Sequence, residues 1–333
     1  MNGWALPAGR AIDLLCVGRA GVDFYAEQEG IALEDVRSFR KSVGGSPANI
    51  ATALARLGGR AGVIGAVSND GFGRYVRRFL VDNGVDVAGL KTAPDGALNS
   101  AAFTEMRPSQ CSVIIYRRDA ADLRLQRTDI DPQQIASARA LLVSGTALSA
   151  SPSREACLHA MTLAREAGTA VVIDLDYRPH AWTDAAEAAA VLGQACAMAD
   201  IVIGNREEFD VVEHLQRNMP RDDQASARLM LRGPTQAVVV KDGERGCKLF
   251  FRDGTALAQG IFPVQARKPF GSGDAFAGAL LWALFSGRSW AEAARLGAAA
   301  AALNVSRDGC AEAMATQAEL FEFIAGHPAN ASK

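Results

Sequence analysis

The sequence carries almost no net charge: 35 lysines and arginines against 37 aspartates and glutamates leave −2 over 333 residues. That balance excludes the electrostatic footprint of a nucleic-acid binder or of a protein held on an anionic membrane. No apolar run reaches the roughly 18 residues needed to span a bilayer. The opening residues, MNGWALPAGRAIDLLCVG, lack a basic region followed by a long apolar segment and a small-residue cleavage site, so no signal peptide is expected. The six cysteines (Cys16, Cys111, Cys157, Cys196, Cys247 and Cys310) include no C-x-x-C pair, and the four histidines are as scattered. Zinc spacing is therefore absent, and a reduced, cytoplasmic protein without a structural metal is expected. Repeats, low-complexity tracts and an obvious interdomain linker are also missing.

What remains is ordinary globular composition, 49% hydrophobic and 22% charged, enough for a large core. From about residue 140 the pattern alternates. ALLVSG (140–145), TAVVIDLD (169–176), ADIVIGN (199–205) and QAVVVKDG (236–243) read as strands, with helical stretches at Ser153–Ala167, Asp184–Met198 and from Arg206. Such alternation implies an α/β fold, a doubly wound, mainly parallel sheet with helices on both faces. Ligands in such folds bind beyond the carboxyl ends of the strands. In the front third, LLCVGRAGVDF (14–24) is expected to start the sheet, and SPANIATALARLG (46–58) reads as a helix. Segments 25–43 and 99–118 look like short alternating strands that form a small β-sheet lid. The polar stretch RNMPRDDQAS (217–226) reads as a surface loop.

Chemistry concentrates where glycines precede helices. In ARKPFGSGDAFAGALLWALFSG (266–287), Gly271, Ser272 and Gly273 stand before an apolar helix. A helix N-terminus carries unpaired N–H groups and partial positive charge, and glycines let an anion come close. Asp274 follows at once. A carboxylate there would repel an anion, but it suits the acceptor of a proton from an attacking hydroxyl while the amides stabilise a transferring phosphoryl group. Read more simply, the tetrapeptide is a loop with an acidic first-turn residue.

Three other segments keep it company. GGSPAN (44–49) is a second glycine-rich helix entrance, with Asn49 about one turn inside. In NREE (205–208), Asn205 and Glu208 share a helix face and could organise a hydrated Mg²⁺ near phosphates, or form a capping box. KDGERG (241–246) turns at a strand exit, where Gly243 and Gly246 could pass a nucleotide's phosphates or make a plain β-turn. Arg117 in YRRDAADL and Arg178 in DLDYRPHAW favour an acidic sugar, because guanidinium groups clamp carboxylates in a way that neutral sugars do not need. Pairing of Arg178 with Asp174 or Asp176, and a solvated strand-edge role for Arg117, are the plain alternatives.

In this order, GGSPANIATALARLG, NREE, KDGERG and GSGDAFAGALLWAL resemble the ribokinase-like (PfkB) family of carbohydrate kinases, over nearly the whole chain. The resemblance implies one ribokinase-like domain over residues 10–330 and ATP-dependent phosphorylation of a sugar hydroxyl. Carried over by position, Asp274 is the base and Gly271, Ser272 and Gly273 form the anion hole. Glu208 and Asn205 order Mg²⁺, through water. Asn205, Lys241, Gly243, Gly246 and Asn304 line the nucleotide, the last from a helix beside the adenine. Asp23, Gly44, Gly45 and Asn49 hold sugar hydroxyls. Where the family often has Asp-Thr before the glycines, this chain has Lys268 and Pro269; an ammonium there could stand in for a monovalent cation, and strong potassium activation is not expected. Further matches, LDYRPHAW and NVSRDGCAEAM among them, are similar to the branch acting on keto-deoxygluconates, and imply transfer to the C6 hydroxyl of 5-dehydro-2-deoxy-D-gluconate in myo-inositol catabolism. The 2-dehydro-3-deoxy isomer is the alternative substrate. A catalytically silent sugar or nucleotide sensor is the alternative from another class. A homodimer through the lid is possible in such folds.

Overall fold

Strand segments without polar alternation, such as AGVIGAV and AVVVK, belong between two layers of helices. In the computed structural model, which describes residues 6–106, 112–215, 221–268 and 270–327, they take that place. The strands are β1 (Ile12–Val17), β2 (Gly21–Ala26), β3 (Phe39–Gly44), β4 (Ala61–Val67), β5 (Leu90–Thr92), β6 (Ala101–Thr104), β7 (Val113–Tyr116), β8 (Ala138–Ser144), β9 (Ala170–Asp174), β10 (Ile201–Asn205), β11 (Ala237–Lys241), β12 (Cys247–Phe251) and β13 (Ala256–Gln259). The helices are α1 (Ser46–Arg56), α2 (Gly71–Asp82), α3 (Pro132–Ala136), α4 (Ser153–Glu166), α5 (Ala185–Cys196), α6 (Arg206–Val212), α7 (Asp223–Met230), α8 (Ser272–Phe285), α9 (Trp290–Val305) and α10 (Gln317–Gly326).

Nine strands form the main sheet in the order β13-β12-β11-β10-β9-β8-β1-β4-β5. Pairing is parallel from β5 through β11, and antiparallel where β12 and β13 close one edge. Alternate residues of each strand feed two cores. Leu14 and Cys16 of β1 pack on the side of α1, α8 and α9, while Leu15 and Val17 face α4 and α5. Helix α8 is apolar all round, and Ala275 to Ala283 are all buried, as a helix enclosed on every side must be. Gly278 lets α1 lie directly on it: a Cβ there would stand 2.6 Å from the Ala53 Cβ and 2.9 Å from the Ile50 carbonyl oxygen. The ends of α1 and α8 are thereby fixed to each other. No helix among the described residues is long and apolar enough to cross a membrane.

A second sheet has the order β3-β2-β6-β7. It is mixed: β2 pairs parallel with β6, and antiparallel pairs flank it. The segment expected to start the sheet, 14–24, is divided. Strand β1 ends at Val17, the chain turns through Gly18 at φ 137°, and β2 begins the small sheet at Gly21 rather than at residue 25. Of the expected loop 217–226, Asp223 to Ser226 instead form the first turn of α7, capped by the Asp222 carboxylate; residues 216–220 lie outside the described residues.

Candidate active site

Both glycine-rich entrances are N-caps in the left-handed region, Gly45 at φ 103° before α1 and Gly271 at φ 82° before α8. An L side chain is strained there. In α8 the first intrahelical bond runs from the Ala275 N–H to the Gly271 carbonyl, 3.0 Å, so the N–H groups of Ser272, Gly273 and Asp274 precede it. The close packing of α1 on α8 brings the two motifs into contact. Ser46 Oγ donates to Asp274 Oδ1 and Asn49 Nδ2 donates to Asp274 Oδ2, each at 2.7 Å. Asn49 Oδ1 is buried and has no hydrogen-bond partner. Burial above all, and then the nearby Asp176 and Asp174 charges, push the Asp274 carboxyl up to about 7 against the two hydrogen bonds.

The charges around Asp274 come from the carboxyl ends of β9, β10 and β11. Lys241, the last residue of β11, places Nζ 3.1 Å from Asp174 Oδ2. A Cβ on Gly273 would lie 3.3 Å from that ammonium, so Lys241 stands against the α8 entrance. Burial opposes its charge, but Asp174 and Glu208 outweigh burial and hold it above the usual lysine value. Glu208 is buried and pushed up to about 7, by burial first and by Asp174 and Asp176 against the pull of Lys241. Asn205 and Glu208 form the capping box: Glu208 N–H donates to Asn205 Oδ1 at 2.9 Å, and Asn205 N–H to Glu208 Oε2 at 2.8 Å. Asp176, at φ 32°, accepts from Ser144 and Thr146 at 3.0 and 2.8 Å. Arg178 reaches over it, with Nη2 2.9 Å from Asp176 Oδ1, and its side chain is half exposed. Asp176, Glu208, Asp274 and Asp174 all favour the charge of Arg178.

Magnesium fits this arrangement only through water. Asp174 and Asp176 raise the proton affinity of Glu208, and Asp176 raises that of Asp174, which a divalent cation would relieve. Among the described residues no three ligating side chains converge tightly enough to hold a metal directly.

Several expected residues stand elsewhere than their expected roles require. Arg117 lies one residue past β7 and folds back into the main body. Its Nε and Nη2 lie 2.8 and 2.7 Å from Asp122 Oδ2, and Nη1 donates to the Thr146 carbonyl at 2.8 Å. Nε and Nη1 are hydrogen-bonded, and Nη2 is buried in the ion pair with Asp122 though it makes no hydrogen bond, so no clamp remains free. Asn304 is fully buried in α9, where Oδ1 accepts from Lys268 Nζ at 2.7 Å and Nδ2 faces the Cys310 carbonyl; it does not present a side chain to a nucleotide. Gly246 is required by β13, since a Cβ there would strike the Gln259 carbonyl oxygen at 2.0 Å, whereas Gly243 at φ 55° is open on all sides. Asp23 lies under Gly44, whose missing side chain leaves room for the Asp23 carboxylate. The Lys268 ammonium is buried and donates to the Phe270 carbonyl and to Asn304, both at 2.7 Å; Pro269 lies outside the described residues. The sequence reading named Asp174 and Asp176 only as possible partners of Arg178 and gave Ser46 and Arg19 no role. For the two aspartates a signal existed, since both stand at the exit of a buried strand.

The family model for the pfkB family of carbohydrate kinases matches residues 11–317. Among curated proteins, a 5-dehydro-2-deoxygluconokinase of Photobacterium profundum is 49% identical over 320 residues, covering 96% of this chain and 97% of that protein. A 5-dehydro-2-deoxygluconokinase 1 of Bacillus cereus is 40% identical over 325 residues, 97% of this chain and 98% of that protein. Among solved structures, a fructokinase from Xylella fastidiosa with bound ATP superposes with a TM-score of 0.85 at 26% identity, covering 94% of this chain and 98% of that one.

Proposed function

This chain belongs to the pfkB family of carbohydrate kinases, and from that premise we propose that it transfers the γ-phosphoryl of ATP to the C6 hydroxyl of 5-dehydro-2-deoxy-D-gluconate, the sugar acid of myo-inositol catabolism. One observation carries the chemical part of the reading. Asp274, raised to about 7, is held by Ser46 and Asn49 at the first turn of α8. A base with that proton affinity is well matched to a neutral working pH. Asp274 accepts the proton of the attacking hydroxyl as its oxygen forms the new bond to phosphorus. The N–H groups at the α8 entrance and the Lys241 ammonium face the charge that develops on the transferring group. Arg178, half exposed beside the same carboxylates, supplies further positive charge there. Glu208, with Asp174, would hold magnesium through water, where it would supply charge neutralisation to the phosphate oxygens.

A monovalent cation is unnecessary in this reading. The Lys268 ammonium already sits at the α8 entrance, coordinated by the Phe270 and Asn304 oxygens. The intact base argues against a silent sensor. The specific acid is supported by the names of the two relatives, each matched over nearly its full length. An assay of ADP release with Mg-ATP, offering 5-dehydro-2-deoxygluconate, 2-dehydro-3-deoxygluconate, fructose and ribose in parallel, tests it. Preference for the first is expected. Preference for the second keeps the fold and the base and overturns the substrate; activity on neither acid overturns the sugar-acid reading.

A further inference from the structure

We propose that Arg19, in the turn between β1 and β2, is the residue that recognises the carboxylate of the substrate; this rests on the sugar-acid reading above. The guanidinium is deep, with 12% of its side chain exposed, and it is fixed on two sides. Nε donates to Ser100 Oγ at 2.8 Å and Nη2 donates to Asp23 Oδ1 at 2.9 Å. The remaining nitrogen, Nη1, has no acceptor among the described residues, and it is not among the buried polar atoms sealed away without a partner. A guanidinium held on two edges, with its third nitrogen left without a protein acceptor, is pre-organised to take an anion.

The backbone around it makes the space. A Cβ on Gly45 would strike the Arg19 carbonyl oxygen at 2.4 Å and lie 3.0 Å from its Cγ. A Cβ on Gly21 would lie 2.5 Å from Ser100 Oγ and 2.9 Å from Arg19 Nε. The same Gly45 caps α1, whose Ser46 and Asn49 hold Asp274. Arg19 is thereby built into the floor that carries the base.

Of the three arginines near the cleft, Arg19 alone suits the far end of the substrate. The acid and the phosphorylated hydroxyl are at opposite ends of a six-carbon chain, so the group that binds the carboxylate must stand away from Asp274. In Arg117, Nε and Nη1 are hydrogen-bonded and Nη2 is buried in the ion pair with Asp122. Arg178 answers to Asp176, Glu208, Asp274 and Asp174, the carboxylates of the phosphoryl-transfer end. Arg19 answers first to Asp23 of the small sheet and next to Asp122, with Asp176 the weakest of the three influences.

The test compares 5-dehydro-2-deoxygluconate with its neutral analogue, in which a hydroxymethyl group replaces the carboxylate. In the wild type, kcat/KM should favour the acid. In Arg19→Gln that preference should fall by about tenfold to a hundredfold, the worth of one charge-assisted contact, through KM for the acid and with KM for ATP unchanged. Arg19→Lys should restore part of it. Arg178→Gln should instead lower kcat for both substrates. If Arg19→Gln does not fold, Ser100→Ala, which releases Nε, should raise KM for the acid and spare the neutral analogue. An unchanged preference in Arg19→Gln, or in both Arg19→Lys and Ser100→Ala where it does not fold, overturns the assignment. A wild type that uses the neutral analogue as well as the acid removes the sugar-acid reading itself, whatever Arg19 does.

Discussion

The protonation of Asp274 gives the sharpest test, because its neighbours push in opposite directions and can be removed one at a time. With the carboxyl at about 7, the ionised, competent fraction falls about tenfold for each pH unit below that value. A plot of log kcat/KM for the sugar acid against pH should therefore rise with unit slope and level off near pH 7 in the wild type. Asn49→Ala removes the 2.7 Å hydrogen bond to Oδ2, which favours the ionised form. A hydrogen bond to a charged group contributes about 1.5–3 kcal/mol, and about 1.4 kcal/mol corresponds to a tenfold change, so the break should move to roughly pH 8–9. Asp176→Asn removes the largest charge that opposes ionisation and also frees Arg178 from its partner. Both changes favour the carboxylate, and the break should fall below pH 7. Asp274→Asn should lower kcat by about 10²–10⁴, the usual contribution of a positioned base, with KM for ATP nearly unchanged. The assay is initial-rate ADP release across about pH 5–9 in buffers of constant ionic strength. A wild-type break near the ordinary aspartate value, or movement of both variants in the same direction, would refute the reasoning.

Three other outcomes are expected. Replacing potassium with tetramethylammonium should leave the wild-type rate unaltered, while Lys268→Met, which strips the Phe270 and Asn304 oxygens of their donor, should lower kcat at least about tenfold without raising KM for the sugar acid. Gly278→Ala should destabilise the protein by roughly 1–3 kcal/mol, as overpacking does, since its methyl group would meet Ala53 at 2.6 Å; chemical denaturation reads this, with lost activity from displacement of α1. Asp274→Asn should also melt a few °C above the wild type at about pH 8. The native carboxyl titrates at about 7, above its ordinary 3.8, so ionisation weakens the fold as pH rises through that window, and the gap should close toward about pH 4.

The contrast between what could and could not be read from the chain follows the range of each interaction. The glycine-capped helix starts are local geometry, and Gly45 and Gly271 stand where their positive φ values require them. The Asn205–Glu208 capping box is likewise local, and the plain alternative offered for NREE is the arrangement present. Near-continuous apolar runs located β8 to β11 because a strand buried on both faces needs no alternation. The contact that turns Asp274 into a base is of another kind. Ser46 and Asn49 are 228 and 225 residues away in sequence, and no spacing rule joins them; only the resemblance put the two motifs into one site. The arginines show the same divide more severely. Arg117 was taken for a clamp because its residue type suits one, but a guanidinium's availability depends on its partners. Asp122, five residues on in a short helical turn, takes two of its nitrogens. Arg19 was given no role, because 14–24 was expected only to start the sheet. It became visible only when the chain was seen to leave the main sheet at Val17 and enter the small one at Gly21, setting that side chain in the turn between them. Residue type thus located the phosphoryl-transfer chemistry, while the recognition of the acid had to be read from which nitrogens the fold leaves open.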